Sequence, residues 1–225
     1  MIKFENLSKS FRVRNRQKVI FENLNLTIPS GKSMGLLGRN GAGKSTLLSI
    51  VAGSMNATTG RVFSDGSISW PVGLGAAFHG EMTGAQNVRF VARIYGVDTD
   101  ELCEFVYHFA EIGDHFYMPF KTYSSGMRSR IAFGTVMGIQ FDTYLVDEVT
   151  AVGDAAFRRK SQAVFLDRVS EAGAIMVSHN MDEMRDFCDM GMILNDGEVE
   201  LFDDINDAIK VHEDRMRLGA AAQRA

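Results

Sequence analysis

Three short stretches carry residue types whose order suits work on phosphate groups. The first is Gly38-Arg39-Asn40-Gly41-Ala42-Gly43-Lys44-Ser45, followed by Thr46, a full G-x-x-x-x-G-K-[ST] string. Its glycines permit backbone angles closed to other residues and can turn N–H groups toward an anion. A helix starting at Lys44 would aim the positive end of its dipole at the same anion. Lys44 can reach the β- and γ-phosphates of a nucleotide, and Ser45 can offer its hydroxyl to Mg²⁺. The second stretch is Tyr144-Leu145-Val146-Asp147-Glu148, an apolar strand pattern ending in two carboxylates. Asp147 suits holding a water on Mg²⁺, and Glu148 suits polarising the water that attacks a γ-phosphate. The third, Val177-Ser178-His179-Asn180, sets an imidazole after another apolar run.

Such a site needs strands that end at one edge of a sheet and helices that begin there. Ser33–Leu37 is a short apolar strand feeding the glycine-rich turn, and the helix from about Lys44 stops near Gly53. Upstream, Ile20, Leu24, Leu26 and Ile28 recur at even spacing, so residues 1–32 form an antiparallel β-rich opening. The basic run Arg12, Arg14, Arg16 and Lys18 reads as a solvated hairpin. Residues 61–70 suggest a short hairpin around Ser64-Asp65-Gly66.

Thr83-Gly84-Ala85-Gln86 is a capping-box pattern opening a helix to about Gly96, and a second helix follows from about Thr99 to Ile112. From 126 the pattern alternates: helix about 126–139, strand Thr143–Asp147, helix about 155–170, strand Ala174–Ser178, short helix near 181–188. Asn195-Asp196-Gly197 turns a final strand pair, and the tail, about 204–225, reads as one amphipathic helix. Alternating strands and helices imply an α/β fold whose core sheet is mostly parallel. An antiparallel β subdomain precedes it, and a helical subdomain of about 84–130 is inserted, all within one domain spanning 1–225.

Composition narrows the classes. The chain has 225 residues, 45% of them hydrophobic, enough for an ordinary buried core. A formal net charge of -4 argues against a broadly basic nucleic-acid surface. Cys103 and Cys188 form no C-x-x-C pair and fit reduced, buried thiols of a cytosolic protein. No secretory leader opens the chain, and no run reaches the roughly 18 apolar residues of a membrane span, so a soluble chain is expected.

Tyr123-Ser124-Ser125-Gly126-Met127, followed by a helix, resembles the signature loop (consensus Leu-Ser-Gly-Gly-Gln) of ATP-binding-cassette ATPases. It stands shortly before the Asp147-Glu148 strand, as that family requires. His179 matches the family's switch histidine. Asp154 matches the aspartate of the loop after the paired carboxylates, and Phe11 falls where the family stacks an aromatic on adenine. The matches run in order over about 7–180. The resemblance implies a P-loop NTPase fold with ATP and Mg²⁺ as cofactors. Phe11, the loop 38–46, Ser124, Ser125, Gly126 and Asp154 would then bind nucleotide. Lys44, Glu148 and His179 would serve catalysis, and Ser45 and Asp147 the metal. It also implies a head-to-tail pair of copies, with ATP between one copy's P-loop and the other's signature loop. An isolated copy should then be a poor ATPase.

Two departures stand out. The family's glutamine in the loop after the first core helix is missing from Ser69-Trp70-Pro71-Val72-Gly73-Leu74-Gly75. His79 or Glu81 could replace it, or the segment could be a plain lid loop. The signature carries Ser125 and Met127 in place of glycine and glutamine. The 70–79 segment, Glu81-Met82-Thr83-Gly84, Asn87-Val88, Tyr123–Arg128 and Val149–Asp154 resemble the cassettes of bacterial capsular polysaccharide and O-antigen exporters. Many O-antigen cassettes carry an added carbohydrate-binding domain, so the short chain favours the capsule form. The expectation is an ATP-hydrolysing subunit that drives a lipid-linked capsular polysaccharide across the inner membrane. It would lie on the cytoplasmic face beneath separate permease subunits, docked through the helical subdomain and the 70–84 loop, with no nucleic-acid partner. The alternatives are export of O-antigen, teichoic acid or another glycan, a soluble non-transport cassette, and a degenerate regulatory cassette.

Overall fold

The even-spaced apolar residues near the N-terminus bury one face of a long hairpin, β1 (Ile2–Val13) and β2 (Arg16–Ile28). The spacing of Ile2, Phe4 and Leu7 is not even, yet all three are buried. Irregularities in register between Phe4 and Leu7 resolve this, with Asn6 and Asn23 at φ 48 and 52. An extra residue rotates the strand and returns Leu7 to the core face, and asparagine tolerates the left-handed backbone. The computed structural model describes residues 1–14, 16–72, 78–147, 154–195 and 197–222. Glu148 and most of the glycine-rich stretch after Val72 therefore lie outside the described residues.

The chain divides into two compact units, one of 1–71, 141–148 and 169–225, the other of 72–140 and 149–168. In the first, β3 (Ser33–Leu37) enters a five-stranded sheet, and α1 (Lys44–Val51) follows its turn. Strand β4 (Thr59–Ser64) then returns to β1, completing a three-stranded antiparallel sheet of order β2-β1-β4. The hairpin expected over 61–70 does not form. Strand β4 finds its partner in β1, and the chain turns at Gly66 toward the larger sheet, where Ile68 bridges Thr143. Asp142 holds that crossing by accepting from the Ser67 amide and hydroxyl at 2.7 Å each.

The larger sheet has the order β5 (Thr143–Asp147), β6 (Gly173–Val177), β3, β7 (Met190–Asn195), β8 (Glu198–Phe202). Its first four strands are parallel and β8 is antiparallel to β7. Every residue of β3 and β6 is buried, as strands covered on both faces must be.

The second unit is built from α2 (Gly84–Tyr95), α3 (Thr99–Ala110), α4 (Ser125–Gly138) and most of α5 (Ala155–Glu171). The capping box at Thr83 and Gln86 forms as expected, and Gly96 ends α2 in the left-handed conformation. Helix α3 stops two residues short of the expected Ile112, at Ala110, where Glu111 turns to φ 53. Phe109 of α3 packs on Phe133 of α4 at 5.6 Å and on Phe157 of α5 at 5.2 Å. In the first unit, the short α6 (Met181–Phe187) and the long α7 (Ile205–Ala222) close the fold. Helix α7 lies on β3 and β7, where Gly35 and Gly191 leave room for Ile205 and Ala208. Both cysteines are buried and free; burial pushes the Cys188 thiol up to about 12. Among the described residues, no helix is long and apolar enough to cross a membrane.

Candidate nucleotide site

Strand β3 delivers the chain to the 38–43 turn, which is squeezed between β7 and β2. Gly38 has φ +149, and an added Cβ would stand 2.3 Å from the Leu194 carbonyl oxygen. At Gly43, φ is +110 and an added Cβ would stand 2.2 Å from Ile20 Cγ2. Only glycine fits either position, on backbone angle and on space. Gly43 is also the N-cap of α1, and no side chain caps that helix. A helix start without a side-chain cap can turn first-turn N–H groups toward an anion. Lys44 folds back over its own loop, with Nζ donating to the Gly38 carbonyl at 2.7 Å and to that of Arg39 at 3.2 Å.

A cavity of about 700 Å³ opens over this turn. Asn40, Gly41 and Gly43 to Thr46 form its floor, Phe11 and Lys18 one wall, and Asp147 and His179 another. Four separate parts of the sequence thus meet at one hollow. Arg39 and Ala42 face an adjoining hollow of about 460 Å³, which Lys18 also lines. The volume fits a nucleotide, and the floor supplies the donors a polyphosphate needs. Phe11 is 36% exposed, with the Lys9 ammonium 4.8 Å over its ring. An aromatic exposed at a cavity wall can stack a base. Ser45 and Asp147 bring two oxygen ligands to the same cavity, a set that suits Mg²⁺ completed by phosphate and water. His179 follows β6 and precedes Asn180, which caps α6 by accepting from the Asp182 and Glu183 amides.

Ser124, Gly126 and Met127 belong to the second unit, where they line a cleft of about 410 Å³ with Glu111, His115 and Arg130. Ser124 caps α4 by accepting from the Met127 amide at 3.2 Å. Tyr123, at the family's leucine position, is buried, and its hydroxyl accepts from the Gly84 amide and donates to the His115 carbonyl. An added Cβ at Gly84 would meet that hydroxyl at 2.4 Å. Ser125 begins α4 and does not line the cleft. Asp154 caps α5 through the Ala156 and Phe157 amides and accepts from Arg130. The Phe157 amide chiefly holds its carboxyl below the usual range, with Ala156 and Arg130 adding to it. Glu81 pairs with Lys121 at 2.8 Å, and the peptide groups of His79 bond the Asn87 side chain.

A family model described as ABC transporter matches residues 21–151. The chain belongs to the ABC transporter family. It is an ATP-hydrolysing ABC cassette with an α/β P-loop fold. The cassette is 49% identical over 201 residues to the polysialic acid transport ATP-binding protein KpsT of Escherichia coli, covering 88% of this chain and 90% of that one. It is 39% identical to the capsule polysaccharide export ATP-binding protein CtrD of Neisseria meningitidis, covering 94% and 98%. A dimeric ATP-binding cassette solved with ADP and phosphate has the same fold. Its TM-score is 0.77 at 22% identity, covering 91% of this chain and 99% of that one.

One residue lining the cavity escaped the motifs, and so did a histidine near Lys44. Lys18 faces the cavity because it pairs with Phe11 across the hairpin. Register could have revealed it once Phe11 was placed, but the basic run around it reads as solvated surface. His212, on α7, lies close enough to Lys44 and His179 for their charges to lower its pKa, after burial. An amphipathic tail carries no signal of where it lands.

Proposed function

We propose that this cassette hydrolyses ATP to drive a lipid-linked capsular polysaccharide across the inner membrane through separate permease subunits. The observation that carries the substrate class is the near full-length similarity to KpsT and CtrD, whose names specify polysialic acid transport and capsule polysaccharide export. In this reading the chain sits on the cytoplasmic face, held by the permease; none of its described helices is long and apolar enough to cross the bilayer. Helix α2 turns Phe90, Ile94 and Tyr95 outward with Arg93 among them, a surface that suits an amphipathic cytoplasmic helix of the permease.

In this scheme Phe11 stacks the adenine and the 38–46 turn receives the phosphates. Lys44 exchanges two carbonyl contacts for β- and γ-phosphate oxygens. Ser45 and Asp147 would hold Mg²⁺, which would supply positive charge beside the phosphate oxygens. Glu148 orients the attacking water, a role contributing about 10²–10⁴-fold. His179 donates toward the γ-phosphate. A second copy, head to tail, adds Ser124, Ser125, Gly126 and the α4 N-terminus on the far side, with Asp154 at the seam. Hydrolysis removes the group both copies grip and lets them part.

Glu148→Gln should leave ATP bound but uncleaved and trap a dimer that sedimentation detects; unchanged turnover would remove Glu148 from this role. For the cargo, the purified chain is co-reconstituted with candidate permeases, and ATPase stimulation is read with each. Stimulation by the capsule permease supports the proposal. Stimulation by an O-antigen or teichoic acid permease alone overturns the cargo while leaving the ATPase intact.

A further inference from the structure

Strand β2 crosses the start of α1 at Ile20, whose Cγ2 would stand 2.2 Å from a Cβ on Gly43. Lys18 lies two residues earlier on that strand, about 7 Å away along extended backbone. Both side chains line the cavity of about 700 Å³. Across the hairpin Lys18 pairs with Phe11, and directly paired residues project from one face with Cβ atoms about 5 Å apart. Lys18 therefore stands between the aromatic wall and the turn that ends at Gly43. It also lines the adjoining hollow, which shares Ile20, Asn40 and Gly41 with the first. Among the described residues, no carboxylate pairs with its ammonium.

The neighbouring cation of the basic run is placed differently. Arg12 pairs with Gln17, one step along each strand, and so projects from the opposite face. Gln17 bonds the Ser10 hydroxyl at 2.9 Å on that face, and Arg12 lines neither hollow. Solvation accounts for Arg12 and leaves the inward position of Lys18 unexplained.

The groups of ATP come in a fixed order from base to γ-phosphate. With the base on Phe11 and the terminal phosphates at Lys44, the ribose and α-phosphate must cross the interval that Lys18 flanks. An ammonium on a flexible four-carbon stem can meet a phosphate oxygen there as a point charge. We propose that Lys18 is a specificity residue that binds the α-phosphate, so that the site discriminates nucleotides from nucleosides at a point outside the 38–46 turn. The inference rests on Phe11 taking the base, as proposed above.

The test is calorimetry on the full chain with ATP, ADP, AMP and adenosine, the weaker two read by displacement. Lys18→Met should weaken ATP, ADP and AMP alike, by about fivefold, and adenosine by less than about twofold. Lys18→Arg keeps the charge and should stay near the parent. Arg12→Met removes an equal charge from the other face and should leave all four within about twofold. Phe11→Leu should weaken all four, adenosine included. Equal losses from Arg12→Met and Lys18→Met would reduce Lys18 to a share of the surface charge and overturn the proposal. A loss confined to ATP would place the ammonium at the γ-phosphate, and a loss that includes adenosine would place it at the ribose; either overturns it. If Phe11→Leu leaves adenosine binding unchanged, the base lies elsewhere and the proposal falls with that placement. Sensitivity to Phe11→Leu with no effect of Lys18→Met overturns the role of Lys18 alone.

Discussion

The Lys44 ammonium bonds the Gly38 carbonyl oxygen at 2.7 Å, across the loop that both residues bound. A cation so placed already faces the space a γ-phosphate would take, and it has only to trade carbonyl partners for phosphate oxygens. Lys44 is half-buried, and methionine keeps the packing of its apolar stem. Lys44→Met should therefore leave the fold intact and weaken MgATP binding about a hundredfold or more, as loss of a charged phosphate clamp does. Calorimetry with MgATP reads the affinity and circular dichroism the fold. Wild-type affinity in a folded variant would displace Lys44 from the phosphate site.

Helix α7 is held by an absence of side chain. A Cβ at Gly191 would stand 2.1 Å from Ala208 Cβ, so Gly191→Ala must push the helix off β7. Overpacking of this kind costs about 1–3 kcal/mol. A lowered urea midpoint with the slope retained is the expected result. A midpoint equal to the parent's would mean that α7 is not seated there in solution.

Packing of α7 also gives a pH dependence. Burial lowers the His212 pKa below its usual 6.5, and Lys44, Arg215 and His179 lower it further against an opposing Glu213. The folded chain resists a proton that the unfolded chain accepts. The neutral histidine therefore costs no stability above the unfolded value, and stability falls as pH drops from there toward the lowered folded value. Replacing it by His212→Gln should flatten the loss of stability between about pH 7.5 and pH 5, read by urea melts. Parallel curves for parent and variant would show that His212 titrates freely.

The cavity was legible in the sequence because its chemistry is local. The string 38–45 fixes a turn and a helix start by itself, and Asp147 and His179 follow apolar runs too short and too buried to be anything but core strands. Parallel strands ending at one edge then bring them together. Helix limits at Thr83, Gly96 and Lys44 were equally legible, since capping residues act within one turn. The 61–70 segment was not, because turn residues around Gly66 look the same whether the next strand folds back or crosses to another sheet. The choice fell to Asp142, 75 positions away from Ser67.

What the sequence alone determined about this protein is the set of groups able to handle a nucleoside triphosphate and the order of elements presenting them. Tertiary structure decided which further side chains lie beside them. Lys18 lines the cavity through its pairing with Phe11, and α7, which carries His212, is seated where Gly35 and Gly191 leave room for it. Each depends on contacts between residues distant in the chain. Such contacts follow from close packing of shapes rather than from any periodicity a single stretch can display.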